Sequence, residues 1–181
     1  MLGNHDFEAG LSQQVARILS DGGVYMLDGE AIEVLGVGFA GIKGFGGGFG
    51  RGALGPWGEP VIKAFVQEAV DEALKLETAL ARLRTPRKVA VLHYSPVRGT
   101  VEDEPPEIFP YLGSSRLEEP LNRYPVDVVL HGHAHGGRFE ARTSGGVPVY
   151  NVAAPLLLRR DPAAPPFHIV ELAWTDPAAT P

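Results

Sequence analysis

Histidines dominate the residues of this chain that could do chemistry. The sequence has six of them, and five fall in three short segments: His5, His93, and the group His131, His133 and His135. Imidazole binds first-row transition metals well, and a His-x-His pair can point both rings at one place. Each histidine taken alone could equally be a partly buried, hydrogen-bonded side chain. The grouping of the five indicates metal binding.

The absence of cysteine narrows the ligands available to such a metal. Disulfides, thiolate metal sites and cysteine nucleophiles are all excluded. A metal would have to be held by histidine, asparagine, aspartate or glutamate. Nitrogen and oxygen donors of this kind suit manganese, iron or zinc.

Two short apolar runs lead directly into these histidines. Residues 88–92 end at His93, and residues 126–130 end at His131. Short runs with so few polar residues are typical of strands buried on both faces of a sheet. Open α/β sheets bind ligands at the carboxyl ends of such strands. We therefore expect a ligand site where these two strands end.

The remaining elements follow from periodicity and turn residues. Residues 11–19 and 60–83 have the spacing of helices, and Pro60 suits the first turn of the second one. Strands are predicted at 24–27 and 31–41, which form a hairpin through Asp28-Gly29, and at 138–142, 147–152 and 167–174. Residues 43–58 predict a glycine-rich surface loop. No linker interrupts the pattern, so we expect one α/β domain over residues 1–181.

Composition excludes several classes of protein. With 44% hydrophobic and 21% charged residues, the chain of 181 residues has ordinary globular composition. The net charge of −6 and the lack of a dense basic cluster argue against extended nucleic-acid binding. No apolar run has the length of a membrane helix, and no signal pattern follows Met1. We expect a soluble, cytoplasmic protein that does not bind membranes.

Acidic residues concentrate in two places. Most carboxylates of the second predicted helix fall between its apolar positions and so predict a solvated face: Glu59, Glu68, Asp71, Glu72 and Glu77. Residues 102–107 predict an acidic, proline-bearing loop that either borders the ligand site or binds nothing.

Three motifs in this order resemble those of the calcineurin-like metallophosphoesterases. They are Gly3-Asn4-His5-Asp6, Leu92-His93-Tyr94-Ser95-Pro96 and Gly132-His133-Ala134-His135. The resemblance spans most of the chain, and its first and last motifs are specific as an ordered pair. It implies a β-sandwich flanked by helices, and hydrolysis of phosphomonoesters or phosphodiesters by a metal-bound hydroxide.

The resemblance also implies a set of metal ligands. Asn4, His93 and His133 would bind one divalent metal ion, and His135 would bind a second. Two such cations, which would be manganese, iron or zinc, bind the phosphoryl oxygens and stabilise the charge that develops as the ester bond breaks.

Other residues of the motifs acquire roles at the leaving group and the substrate. By resemblance His5 would be the general acid, and Asp6 would hydrogen-bond the His5 ring and fix its tautomer. Arg98 is a candidate to bind the substrate phosphate, and Tyr94 is a candidate to stack on the substrate. We expect His131 to support the site rather than to bind metal.

The chain departs from the family pattern before its first motif. Family members carry an upstream Asp-x-His motif and an upstream Gly-Asp motif, and neither is present here. We therefore expect a C-terminal part of such an enzyme, with its first strands missing and incomplete as a catalyst alone. Its partners would be a small-molecule phosphoester and either a second copy of the chain or a complementing N-terminal segment. The alternative is an inactive remnant or split-subunit module that binds metal weakly without catalysis.

Overall fold

The strands pair into one sheet in the computed structural model, which describes residues 1–173. In chain order they are β1 (Glu30–Val34), β2 (Val37–Ile42), β3 (Arg87–Leu92), β4 (Val128–His131), β5 (Glu140–Arg142) and β6 (Pro148–Asn151). Their spatial order is β1-β2-β3-β4-β6-β5; the central strands β2, β3, β4 and β6 are parallel, and the edge strands are antiparallel. The predicted α/β class is confirmed. The described residues form a single sheet, which differs from the predicted sandwich.

Helices fill the connections between strands. They are α1 (His5–Glu8), α2 (Ser12–Asp21), α3 (Pro60–Arg82), α4 (Phe109–Leu112), α5 (Glu118–Arg123) and α6 (Ala154–Arg160). The helices predicted at 11–19 and 60–83 are confirmed as α2 and α3. Within residues 1–173, no helix has the length and apolar character that a membrane crossing requires.

Helix α3 covers one face of the sheet. Leu76 and Leu80 lie on its inner side, and they share a buried cluster with Ile42 of β2 and Leu92 of β3. Each buried leucine contributes roughly 2 kcal/mol of hydrophobic stabilisation. The helix thus holds β2 and β3 together and fixes the positions at which they end.

The hairpin at the start of the sheet differs from its prediction. The structure joins β1 to β2 through Leu35-Gly36, and residues 24–27 form no strand. Leu35 and Gly36 both have positive φ, 49° and 78°, as a two-residue hairpin turn of the primed type requires. The predicted strand 31–41 therefore contains the turn. Gly29 has φ 80° and donates to the Gly41 carbonyl at 2.8 Å, so Asp28-Gly29 leads into the hairpin without closing it.

The last described residues lie against the opposite face of the sheet. A strand was predicted at 167–174, but residues 167–173 have no regular secondary structure, and Trp174 lies outside the described residues. His168, Val170 and Leu172 of this segment line a cavity of about 340 Å³ with apolar residues of β2, β3 and β4. The segment therefore packs on the sheet by side chains without pairing to an edge strand.

Glu72 is the exception among the acidic residues of α3. The sequence predicted a solvated face, yet Glu72 is 1% exposed. Its Oε2 accepts from the Gly44 amide at 2.6 Å, and its Oε1 accepts from Lys75 Nζ at 2.6 Å. The carboxylate thus anchors the chain just after β2 to the middle of the helix.

We expect Glu72→Leu to lower the free energy of unfolding by about 2 kcal/mol, because it leaves the buried Gly44 N–H without an acceptor. Urea denaturation measures the change. Glu59→Leu is the matched control, since Glu59 is exposed at the start of α3 and makes no side-chain cap, and its effect should stay within about 0.5 kcal/mol. Equal losses in the two variants would contradict the anchoring role.

Candidate active site

The three predicted motifs converge where the parallel strands end. Asn4 Oδ1 lies 2.7 Å from His93 Nε2, although the two residues are 89 positions apart. The His93 and His133 rings have centroids 4.8 Å apart, and the Tyr94 ring lies 4.3 Å from that of His133. Because β3 and β4 are parallel neighbours, the residues that follow them meet at the same edge of the sheet. The structure therefore brings Asn4, His93 and His133 together.

Backbone contacts hold the segments in place. The amides of His93 and Tyr94 both donate to the Lys43 carbonyl, at 3.0 and 3.1 Å, and the Gly132 amide donates to the His93 carbonyl at 3.2 Å. The chain after β3 is thus bonded to the chains that follow β2 and β4. A side chain at Gly3 would collide with the His93 ring, so this glycine lets the first motif approach closely.

His133 has an unusual backbone conformation. Its φ is 66°, in the left-handed region that residues with a side chain rarely adopt. Its Nε2 donates to the Tyr111 carbonyl at 3.0 Å, because a carbonyl can only accept, and this leaves Nδ1 as its available lone pair. Such a conformation persists only where surrounding structure enforces it, and it is concentrated at functional sites.

A buried polar network supports the site from behind. His131, Ser95, Thr100 and Asn151 are all at most 1% exposed. His131 Nδ1 donates to the Gly132 carbonyl at 2.8 Å, so its Nε2 accepts from the Thr100 hydroxyl at 2.8 Å. Thr100 in turn lies 2.7 Å from the Ser95 hydroxyl. The network links the segment after β3 to His131 at the end of β4.

Asn151, at the end of β6, fixes the last motif. Its Nδ2 donates to the Ala134 carbonyl at 2.7 Å, and its Oδ1 accepts from the Ala153 amide at 3.2 Å. Ala134 separates His133 from His135, so this bond sets the course of the chain between the two histidines. The sequence prediction did not include Asn151.

Burial lowers the pKa of both imidazoles of the cluster. Desolvation lowers the pKa of His93 to about 4, and the charge of His133 acts in the same direction. Desolvation also lowers the pKa of His133, although the bond to the Tyr111 carbonyl opposes the change. Both shifts favour the uncharged ring, which is the state in which imidazole binds a metal.

The predicted pair of His5 and Asp6 is arranged differently from the expectation. Asp6 Oδ2 accepts from the Gly3 amide at 2.7 Å, and the carboxylate beside the His5 ring is that of Glu8, with His5 Nδ1 2.8 Å from Glu8 Oε1. His5, Asp6 and Glu8 all lie in α1. In a helix, side chains three positions apart are neighbours and adjacent side chains do not face each other, so His5 meets Glu8 and not Asp6. A positive charge on His5 would lower the pKa of both His93 and His133.

His135 stands at the margin of the cluster. Its side chain is exposed, and its carbonyl accepts from Arg159 at 2.9 Å. It is near enough to His133 that its charge would lower the pKa of that ring. In the described residues, no group of three or more histidine, aspartate or glutamate side chains is arranged to hold a metal ion. The cluster that the structure assembles is thus two imidazoles and one amide.

The two predicted substrate residues are placed differently from one another. Tyr94 is 8% exposed and lies in the cluster against His93 and His133. Arg98 is exposed, and its contacts are with Glu102 and the Phe109 ring. The structure therefore brings Tyr94, but not Arg98, into contact with the predicted metal ligands.

One charged residue near the cluster, Lys43, was missed by the sequence prediction, and a second, Glu104, lies in the acidic loop that the sequence predicted. Lys43 follows β2, and its Nζ lies 5.6 Å from the Tyr94 ring centroid, 4.8 Å from that of Phe45 and 3.7 Å from Glu68. The rule that strand ends form the site, applied to β2, would have found it. Glu104 accepts from the Gly136 amide, and its charge would raise the pKa of His133. The acidic loop at 102–107 thus borders the site.

A cleft of about 420 Å³ opens beside Asn4 and His133. Its other walls are mainly aromatic: Phe45, Phe65, Tyr94 and Tyr111, with Ile108 and Leu112. The cleft is therefore polar where the predicted ligands lie and apolar elsewhere.

The donors of the cluster fit a first-row divalent cation. A neutral imidazole nitrogen and an amide oxygen stand 2.7 Å apart, and a second neutral imidazole lies against the first. Nitrogen and oxygen donors of this kind suit manganese, iron or zinc. The set holds no carboxylate, so the remaining ligands of such a cation would be water, substrate oxygens or side chains outside the cluster.

No protein-family model matches the chain, and no curated protein matches it. One solved crystal structure is similar at 18% sequence identity with a TM-score of 0.48, and the alignment covers 83% of this chain. The chain spans 55% of the length of that protein. Similarity at this level carries no information on function.

Proposed function

We propose that this chain carries part of the active site of a metal-dependent phosphoester hydrolase of the calcineurin-like type. The observation that carries the proposal is the contact between Asn4 Oδ1 and His93 Nε2 with the His133 ring beside them. Asn4 and His93 lie 89 positions apart and the third motif follows β4, yet their side chains meet where the parallel strands end. Such ends are where open α/β sheets bind ligands.

Some residues of the chain would bind the cation, and others would act at the leaving group. Asn4, His93 and His133 would bind the cation, with His135 at the margin. Bound divalent cations supply charge stabilisation at the phosphoryl oxygens and lower the pKa of water. With Nδ1 of His5 engaged by Glu8, Nε2 is the atom that would give a proton to a departing alkoxide. Asp6 holds the turn that presents Asn4 by accepting from the Gly3 amide.

A second candidate function is metal binding without catalysis. It is favoured by the small number of ligands in the cluster, since in residues 1–173 no three histidine or carboxylate side chains are arranged around one point. A two-metal mechanism needs more protein ligands than two imidazoles and an amide provide. Metal affinity and turnover must therefore be measured separately.

Manganese binding is expected to depend on the cluster. Because His93 lies beside both Asn4 and His133, His93→Ala should weaken Mn²⁺ binding at least about tenfold, as measured by electron paramagnetic resonance of free Mn²⁺. Hydrolysis of p-nitrophenyl phosphate and bis(p-nitrophenyl) phosphate, measured on the same samples, should fall in parallel. His168→Ala is the control, because His168 packs against Phe139 and Tyr150 away from the cluster.

The outcomes separate the two candidates. Metal-dependent turnover that His93→Ala abolishes supports the hydrolase. Binding that depends on His93 without any turnover supports the module that only binds metal. Affinity that is unchanged in His93→Ala contradicts both, because neither function then involves the cluster.

A further inference from the structure

The aromatic side of the cleft contains none of the predicted metal ligands. Asn4 and His133 account for its polar end, whereas the rest of its surface is formed mainly by aromatic and aliphatic side chains. None of the residues that line the cleft is aspartate, glutamate, lysine or arginine. A cleft of about 420 Å³ falls in the size range of small-molecule sites, which combine apolar walls with a few polar groups.

The rings form a closed circuit around this cleft. From His133, ring centroids follow at 4.3 Å to Tyr94, 5.9 Å to Phe45, 4.9 Å to Phe65 and 6.5 Å to Tyr111. The bond from His133 Nε2 to the Tyr111 carbonyl, 3.0 Å long, completes the circuit. Tilted and edge-on contacts of this kind are the favourable arrangements of aromatic rings. His133, Tyr94, Phe45 and Phe65 therefore each have two neighbours in the circuit, whereas the Tyr111 ring contacts Phe65.

The backbone brings the two aromatic walls close together. Gly46 is buried, and a side chain there would collide with the Pro110 carbonyl, so only glycine lets residues 45–46 approach residues 110–111. Tyr111 and Ile108 stand at the mouth of the cleft with 64% and 37% of their surfaces exposed. The apolar surface therefore remains accessible from solvent.

We propose that the cleft binds a flat aromatic group carried by the phosphoester, which makes aryl phosphoesters the preferred substrate class. The inference rests on the proposed function, which places the phosphoryl group at Asn4 and His133. No charged side chain is among the residues that line the cleft, whereas the ring circuit offers stacking and edge contacts to a planar group.

Ligand-observed NMR with two phosphonates tests the inference without relying on turnover. Binding is measured first without metal and then with Zn²⁺, which is diamagnetic and so replaces Mn²⁺ in this experiment. Phenylphosphonate should bind about tenfold more tightly than methylphosphonate, because one ring buried among aromatic side chains contributes about a factor of ten in affinity. Tyr111→Ala and Phe65→Ala should each remove most of that advantage. Trp57→Ala is the matched control, since Trp57 is an exposed aromatic residue, 75% accessible, outside the cleft.

A third probe, benzyl alcohol, carries the ring without the phosphonate. Saturation transfer to its ring that is lost in Tyr111→Ala supports the aromatic site even if no phosphonate responds to metal, and that pattern overturns the proposed function alone. Equal, metal-dependent affinity for the two phosphonates overturns the aromatic site and leaves the hydrolase standing. Absence of ring contact for both benzyl alcohol and phenylphosphonate overturns the inference in every case.

Discussion

Acidification from pH 7 to pH 4 is expected to lower the free energy of unfolding by about 3 kcal/mol through His131 alone. Burial lowers the pKa of this ring from 6.5 to about 4 in the folded protein. Between those values the unfolded chain binds a proton that the folded chain does not. The contribution of His131 to stability is therefore complete above pH 6.5 and is lost as the pH falls toward 4.

Urea denaturation at several pH values, with EDTA present to remove metal, measures this effect. His131→Gln should be less stable than the parent at pH 7, because it loses the bonds to Thr100 and Gly132, and the gap between them should close toward pH 4. His168→Gln leaves the buried ring in place and should keep the pH dependence of the parent. A parent–variant gap that stays constant from pH 7 to pH 4 would contradict the assignment.

Gly113→Ala is expected to lower the free energy of unfolding by about 3 kcal/mol, at the upper end of the cost of overpacking a core position. A β-carbon at Gly113 would collide with the Ser95 carbonyl and come within 3.0 Å of the Phe49 ring. The segment at Ser95 is hydrogen-bonded there to the segment at residues 112–114. The Ser95 amide donates to the Leu112 carbonyl at 3.0 Å, and the Ser114 amide donates to the Ser95 carbonyl at 3.1 Å. The methyl group would force them apart.

Gly52→Ala provides the control for this substitution. A β-carbon at Gly52 meets nothing within 4 Å, so the change should be neutral or stabilise by up to about 1 kcal/mol. Comparison of the urea midpoints measures the difference, and a loss of similar size in both variants would contradict the role assigned to the contact between Gly113 and Ser95.

Much of the frame of the site could be predicted because its signals are local and strong. The apolar runs before His93 and His131 are typical of buried parallel strands, and both strands are present as β3 and β4. The periodicity of residues 60–83 predicted α3 almost to the residue. Once two neighbouring parallel strands are known, the meeting of the residues that follow them needs no further information.

Other features depend on backbone conformation that residue types do not reveal. Leu35 adopts a positive φ in the hairpin turn. Leucine is not a typical residue for such a turn, so the predicted strand continued through this position. The partner of His5 depends on whether residues 5–8 form a helical turn, because a helix places Glu8, and not Asp6, on the side of His5. Glu72 was assigned to the solvated face because its buried partner, the Gly44 amide, lies far away in the sequence.

The aromatic cleft was beyond sequence prediction for a different reason. Phe45, Phe65, Tyr94 and Tyr111 come from four separate segments with no shared motif. Only the folded chain shows that these rings contact one another. The local signal nearest to them, the glycine-rich stretch at 43–58, predicted a surface loop and gave no indication of a binding wall.

The pairing of the parallel strands also has a consequence for the order in which the molecule forms. Val37 pairs with Arg87, and Val89 pairs with Val128. Each pairing closes a long loop, and the loss of chain entropy on closure opposes the pairing until the strand contacts form. The β1–β2 hairpin and α3 are built from neighbouring residues and can form early. Proteins rich in distant contacts fold slowly. We therefore expect the hairpin and α3 to collapse first, and Asn4, His93 and His133 to meet only in the last step of folding.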